Sequence, residues 1–136
     1  MMEGITYLAR KPLRGDIVVF RTDDIQAAPP GTIYIKRVAG EPGDHLRITD
    51  GKLFVNDTHI PVRNTAGEIN YVSLKGSPFL ASSTDTLKIP AGHYFVLGDN
   101  SPNSLDSRFF GFVPERNVMG RVSVCYWPLD RMGRVE

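Results

Sequence analysis

The sequence predicts an all-β fold, antiparallel sheets forming a sandwich or a partly open barrel, and three observations carry that expectation. Short runs of β-branched and aromatic residues recur along the chain, separated by clusters of Gly, Pro, Asn and Asp, the pattern of many strands joined by turns. No stretch keeps apolar residues at helical spacing over three turns. Asp50-Gly51 lies between Leu46-Arg47-Ile48 and Lys52-Leu53-Phe54-Val55, and Asp-Gly between apolar runs is a strong short-range hairpin signal.

Taken in order, Ile5-Thr6-Tyr7-Leu8-Ala9 is a short apolar segment that leads through Pro12 and Gly15 to Ile17-Val18-Val19-Phe20. That β-branched, wholly apolar run predicts a strand buried on both faces. The polar stretch from Arg21 ends in Ala28-Pro29-Pro30-Gly31, a loop, before a second strand at Thr32–Ala39 that closes on Gly40-Glu41-Pro42-Gly43-Asp44. The Asp50-Gly51 hairpin follows, then a turn at Asn56-Asp57 and the run His59-Ile60-Pro61-Val62. A proline cannot donate to a ladder, so that run belongs at an edge.

From Arg63 to about residue 86 the chain is rich in Gly, Ser, Thr and Asn without a sustained period, and it reads as an irregular excursion with one short strand at Tyr71-Val72-Ser73-Leu74. Leu87-Lys88-Ile89-Pro90 and Ala91-Gly92 lead into the strand Tyr94-Phe95-Val96-Leu97. Val113–Gly120 reads as a turn and Arg121–Pro128 as the last strand. With 136 residues, no internal repeat and no linker, residues 1–136 are expected to form one domain.

Composition narrows the function. A net charge of +1 provides no basic field for nucleic acid, so no nucleic-acid partner is expected. Cys125 is the only cysteine, which excludes an internal disulfide, and His45, His59 and His93 are scattered without ligand spacing. No metal or other cofactor is expected. No apolar run approaches the roughly 20 residues of a membrane-spanning helix, and no signal-peptide pattern opens the chain. As it stands, the chain is expected to be a soluble domain.

Chemistry concentrates in two places. Between Leu97 and Phe109, the stretch Gly98–Arg108 packs three serines, two aspartates, two asparagines and one arginine, far more than the roughly four residues a simple reversal needs. It is either a rigid loop whose polar groups satisfy one another or a scaffold that holds one group beside a catalytic residue elsewhere. On the second strand, alternation places Tyr34, Lys36 and Val38 on one face and Ile33, Ile35 and Arg37 on the other. Lys36 among apolar neighbours is either an edge lysine that keeps its charge in water or a general base, since an amine serves as a base where burial destabilises its ammonium.

Three segments together resemble a known family. Arg14-Gly15-Asp16-Ile17-Val18-Val19-Phe20, then Tyr34-Ile35-Lys36-Arg37-Val38-Ala39-Gly40-Glu41-Pro42-Gly43-Asp44, then Gly98-Asp99-Asn100-Ser101 through Ser104-Leu105-Asp106-Ser107-Arg108 and Gly111-Phe112-Val113-Pro114 resemble three successive boxes of bacterial type I signal peptidases. The resemblance covers nearly the whole chain and is least specific between the second and third boxes. It implies a mostly β, membrane-anchored serine peptidase that cuts signal peptides from exported preproteins with a Ser/Lys dyad. The anchor would be a segment absent from this chain, and the domain would sit on the outer face of the bacterial cell membrane. By residue-for-residue matching, Lys36 would be the general base and Ser104 would hydrogen-bond its amine. Asp106 and Arg108 would pair to hold the loop, and Val19, Tyr34 and Ile35 would help line shallow apolar pockets for the small residues before the cleavage site.

One departure from the family is large. Its nucleophile belongs to a Ser-Met-x-Pro motif upstream of the first box, whereas this chain has no Ser-Met pair and its first serine is Ser73. A Ser/Lys mechanism needs the serine oxygen within hydrogen-bond reach of the amine. The expectation is therefore the C-terminal part of a signal peptidase I, inactive by itself; the alternative is a serine-less homologue that binds peptides or proteins without cutting them.

Overall fold

The computed structural model describes residues 5–6, 11–25 and 27–122. Twelve strands are described: β1 (Ile5–Thr6), β2 (Ile17–Arg21), β3 (Ile33–Gly40), β4 (His45–Thr49), β5 (Lys52–Val55), β6 (Thr58–His59), β7 (Arg63–Asn64), β8 (Gly67–Glu68), β9 (Leu87–Lys88), β10 (His93–Leu97), β11 (Val113–Pro114) and β12 (Val118–Val122). They form a six-stranded sheet in the order β1-β12-β2-β3-β10-β11, a four-stranded sheet β6-β5-β4-β9 and the two-stranded ribbon β7-β8. Every described pairing is antiparallel, so the architecture is all-β.

β2 is buried on both faces, as its apolar run requires. Val18 and Phe20 enter a cluster with Val38, Tyr94, Val96, Phe110 and Val113, while Ile17 and Val19 pack with Val122 on the other side, against half-buried Ile35. A third cluster fuses the two large sheets: Ala39, Phe95 and Leu97 from the six-stranded sheet meet Leu46, Ile48, Leu53 and Val55 of the β4–β5 hairpin. Gly40 is needed where the sheets close together, because a Cβ there would lie 2.2 Å from Ile89 Cδ1. The hairpin turns through Asp50 and Gly51, at φ 52° and 79°, with Thr49 opposite Lys52. Both central residues thus take the left-handed conformation of the tight two-residue turn that suits twisted strands.

The differences from expectation lie where local pattern is weakest. Tyr71–Leu74 is not a strand; its backbone bonds to a turn and to side chains instead of a ladder. The stretch expected as a turn at 113–120 holds β11, a single 3-10 turn at Glu115–Asn117 and the start of β12. β12 therefore begins at Val118 rather than Arg121, bulged between Val118 and Gly120. The remainder of that expected strand, 123–128, and residues 7–9 of the first apolar segment lie outside the described residues. The polar stretch after β10 is also more ordered than a loop: it contains a 3-10 turn at Ser101–Asn103 and one turn of helix, α1 (Ser107–Phe110). No helix among the described residues is long and apolar enough to cross a membrane.

Candidate active site

Lys36 and Ser104 are 68 residues apart in the chain and meet in the fold. β3 carries Lys36 opposite Val18 of β2, and the chain leaving β10 returns Ser104 to it, so that Nζ lies 3.2 Å from the Ser104 hydroxyl oxygen. Both side chains are buried, Lys36 6% and Ser104 3% exposed. The amine also stands 5.6 Å from the centre of the Tyr34 ring, which packs T-shaped against Phe20 and tilted against Phe110, with centroids 6.2 and 6.1 Å away. The Lys36–Ser104 contact is therefore made in an apolar setting, where a hydrogen bond has little water to compete with it.

Ser104 follows the 3-10 turn, and the residues after it brace the segment. Asp106 caps α1, its Oδ1 accepting from the Arg108 backbone N–H at 3.1 Å. The same carboxylate accepts Arg108 Nε at 2.9 Å and Nη2 at 2.8 Å, a two-pronged pair, and it also receives the Gly98 N–H at 3.0 Å. The remaining guanidinium protons reach the Ser101 carbonyl at 2.6 Å, the Ser101 hydroxyl at 3.1 Å and the Val72 carbonyl at 2.7 Å. Asp106 and Arg108 are both fully buried. Two buried ions are tolerable only when geometry and additional hydrogen bonds offset desolvation, and here they close the loop across its base. Ser107 adds a further tie, its hydroxyl accepting the Val96 N–H at 2.9 Å.

A second, partly buried pair joins the same loop to β3. Arg37, next to Lys36 but on the opposite face, donates from Nε and Nη2 to Asp99 at 2.8 Å each and from Nη1 to the Gly15 carbonyl at 3.0 Å. Asn64 in the β7–β8 ribbon donates to the same carboxylate at 3.3 Å. Burial pushes the Arg37 guanidinium down, but hydrogen bonding and the charge of Asp99 outweigh it and hold the group above its ordinary value. Nearby Tyr71 is 1% exposed. Its phenol is pushed well above the usual range, chiefly by burial and next by the Asp99 carboxylate, with Arg37 working against them.

The sequence assigns no role to Arg37, Asp99, Asn64 or Tyr71, and Ser101 stands in it only as one of the three loop serines. A signal for one pair was present: an arginine within an apolar strand needs a carboxylate, and the loop holds two aspartates for one arginine of its own. The apolar candidates divide across the sheet. Val19 pairs with Ile35 in the β2–β3 ladder, and both pack in the cluster with Ile17 and Val122. Tyr34 packs in the cluster on the other side, with Phe20 and Phe110. A depression of about 190 Å³ at Arg14, Gly15, Ile60, Pro61, Val62 and Arg63 is lined by none of the candidate residues.

The all-β fold and the buried Lys36–Ser104 contact are accompanied by clear similarity to known proteins. The sequence model of the family described as "Signal peptidase, peptidase S26" matches residues 1–127, and the chain belongs to that family. Within it the similarity is to signal peptidase I. The chain is 38% identical over 134 residues to a "Probable signal peptidase I-2" of Synechocystis sp., covering 98% of this chain and 56% of that protein. It is 36% identical over 138 residues to a "Signal peptidase I" of Leptolyngbya laminosa, covering 99% and 63%. A thylakoidal processing peptidase 1 of Arabidopsis thaliana is 35% identical over 138 residues, covering 97% and 37%. The chain thus spans roughly half to two thirds of the length of the two bacterial relatives. Among solved structures, a signal peptidase I from Enterococcus faecalis V583 matches with a TM-score of 0.63 at 31% identity, covering 84% of this chain and 98% of that one.

Proposed function

We propose that residues 1–136 form one catalytic-type domain of a signal peptidase I, with Lys36 as its general base. The observation that supports this reading most is the buried 3.2 Å contact between Lys36 Nζ and Ser104 Oγ, an arrangement that a domain built only to bind peptide would have no chemical need for. In this reading the neutral amine takes the proton of a serine hydroxyl as that oxygen attacks the scissile carbonyl carbon. It then gives the proton to the departing amine and afterwards takes one from the water that hydrolyses the acyl-enzyme. Ser104 orients the amine, and the Asp106–Arg108 pair keeps Ser104 in place. Val19, Ile35 and Tyr34 meet the small residues that precede the cleavage site. The nucleophile comes from a Ser-Met-x-Pro segment that is not among these residues, so the chain alone is inactive. Its substrates are signal peptides of exported preproteins, and it works on the outer face of the bacterial membrane, held there by an anchor outside this sequence.

The test uses three proteins and a signal-peptide substrate: the chain as given, the chain joined to the N-terminal portion of the Synechocystis relative, and that fusion with Lys36→Ala. The expected result is cleavage by the fusion alone. Cleavage by the Lys36→Ala fusion would overturn the role given to Lys36, and cleavage by the chain as given would place the nucleophile among its own serines.

A further inference from the structure

The segment Ile69–Ser73 forms no strand, yet hydrogen bonds from Tyr71, Val72 and Ser73 join two parts of the molecule. On one side it is tied to the four-stranded sheet. Tyr71 N–H donates to the Gly51 carbonyl at 3.1 Å and Ser73 Oγ to the Ile48 carbonyl at 3.2 Å. The Asn70 side chain lies over the β4–β5 turn, where a Cβ on Gly51 would come within 2.1 Å of Asn70 Oδ1. The Tyr71 ring is packed in the same core as Leu46, Ile48 and Leu53. On the other side the segment is tied to the turn that presents Ser104: Val72 N–H donates to Ser101 Oγ at 2.9 Å, and the Val72 carbonyl accepts Arg108 Nη1 at 2.7 Å. Because Arg108 Nη1 also reaches Ser101 Oγ at 3.1 Å, the Val72 peptide, the Ser101 hydroxyl and the Arg108 guanidinium close a ring of hydrogen bonds.

Ser101 is the joint of this ring. It is wholly buried, it opens the 3-10 turn that ends immediately before Ser104, and its hydroxyl and carbonyl oxygens together accept three bonds from two different segments. We infer that Ile69–Ser73 is a strap that couples the four-stranded sheet to the active loop, and that Ser101 is a positioning residue which, through this strap, sets where Ser104 stands relative to Lys36. The inference rests on the pairing of Lys36 with Ser104 proposed above. Physically, a one-turn helix and a 3-10 turn have too few internal hydrogen bonds to hold a side chain to a fraction of an ångström. A site needs that precision, and it comes from a supporting shell tied to a rigid element.

The experiment is a pH titration of the Lys36 side-chain ¹³Cε resonance in the chain as given, beside Ser104→Ala, Ser101→Ala and Ser101→Thr. Ser104→Ala is expected to move the titration midpoint, Ser101→Ala to move it in the same direction by a smaller amount, and Ser101→Thr, which keeps the hydroxyl, to return it toward the parent. The Val72 amide should exchange with solvent at least tenfold faster in Ser101→Ala than in the parent. A Lys36 midpoint unchanged in Ser101→Ala but shifted in Ser104→Ala overturns the strap. A midpoint unchanged in Ser104→Ala overturns instead the Lys36–Ser104 reading on which it rests. If Ser101→Ala does not fold, Ser73→Ala loosens the strap at its far end without touching the loop; a shift of the same sign supports the inference and an unmoved midpoint overturns it.

Discussion

The β4–β5 hairpin and the segment from Gly98 to Phe110 are similar in size and are held by opposite means. In the hairpin, Leu46, Ile48, Leu53 and Val55 turn inward in strict alternation, the ladder satisfies the backbone, and the turn is set by two adjacent residues. In the active loop almost nothing repeats. Its buried groups include Ser101, Ser104, Asp106, Ser107 and Arg108; the Asp106 carboxylate takes the Gly98 and Arg108 amides, and the Ser101 and Ser107 hydroxyls take amides of Val72 and Val96 from neighbouring segments. The hairpin is stabilised by area removed from water and can absorb a lost methyl group at a graded cost. The loop is stabilised by directed contacts and tolerates little, because each lost partner strands another polar group.

The sharpest test of that contrast is Asp106→Ala. It leaves Arg108, fully buried, without its carboxylate, and breaking a buried ion pair in this way costs about 3–5 kcal/mol. Urea denaturation should show a loss of that size; a loss below about 1 kcal/mol would mean the pair is not what secures the loop. In the hairpin, Leu46→Ala removes a side chain with no exposure and should cost about 2–5 kcal/mol by lost transfer energy plus cavity. There the cost should fall substantially in Leu46→Met, which keeps the volume. A charge network offers no such intermediate.

Tyr71 stands between the two regions and has a signature of its own. Its hydroxyl makes no hydrogen bond to another described group, so Tyr71→Phe should leave stability near pH 7 equal or slightly higher. The phenol titrates above its ordinary value of 10.0 in the folded chain. Below pH 10 both folded and unfolded states keep the proton and the difference from Tyr71→Phe is flat. Above pH 10 the unfolded state releases it first, so the parent loses stability relative to Tyr71→Phe as pH rises through the folded-state value. Denaturation series at several pH values from 7 to 11 check this, and parallel curves across pH 10 would remove Tyr71 from the buried charge network. The smallest effect belongs to the His59–Glu68 contact, 3.0 Å long with both side chains about one third exposed. Glu68→Gln should change stability by less than about 1 kcal/mol, and less still in high salt.

Much of the fold could be read along the chain because its determinants are local. Ile17–Phe20, with no polar residue, had to be a strand buried on both faces, and Asp50-Gly51 had to turn the hairpin, since few other pairs accept two successive left-handed conformations. The candidate residues Lys36, Ser104, Asp106 and Arg108 were legible through their resemblance to a family's boxes, whose order and spacing a linear reading can match. Only the folded chain decided how those residues are supported. Val72 reaches Ser101 across 29 residues, Arg37 reaches Asp99 across 62, and Tyr71–Leu74, composed like a strand, forms none: the Val72 backbone is bonded by the loop's hydroxyl and guanidinium instead of a ladder. Side-chain hydrogen bonds carry no period and depend on where distant segments come to rest. Apolar alternation and turn chemistry could therefore be read directly from the string of residues, while the polar network required the assembled sheets.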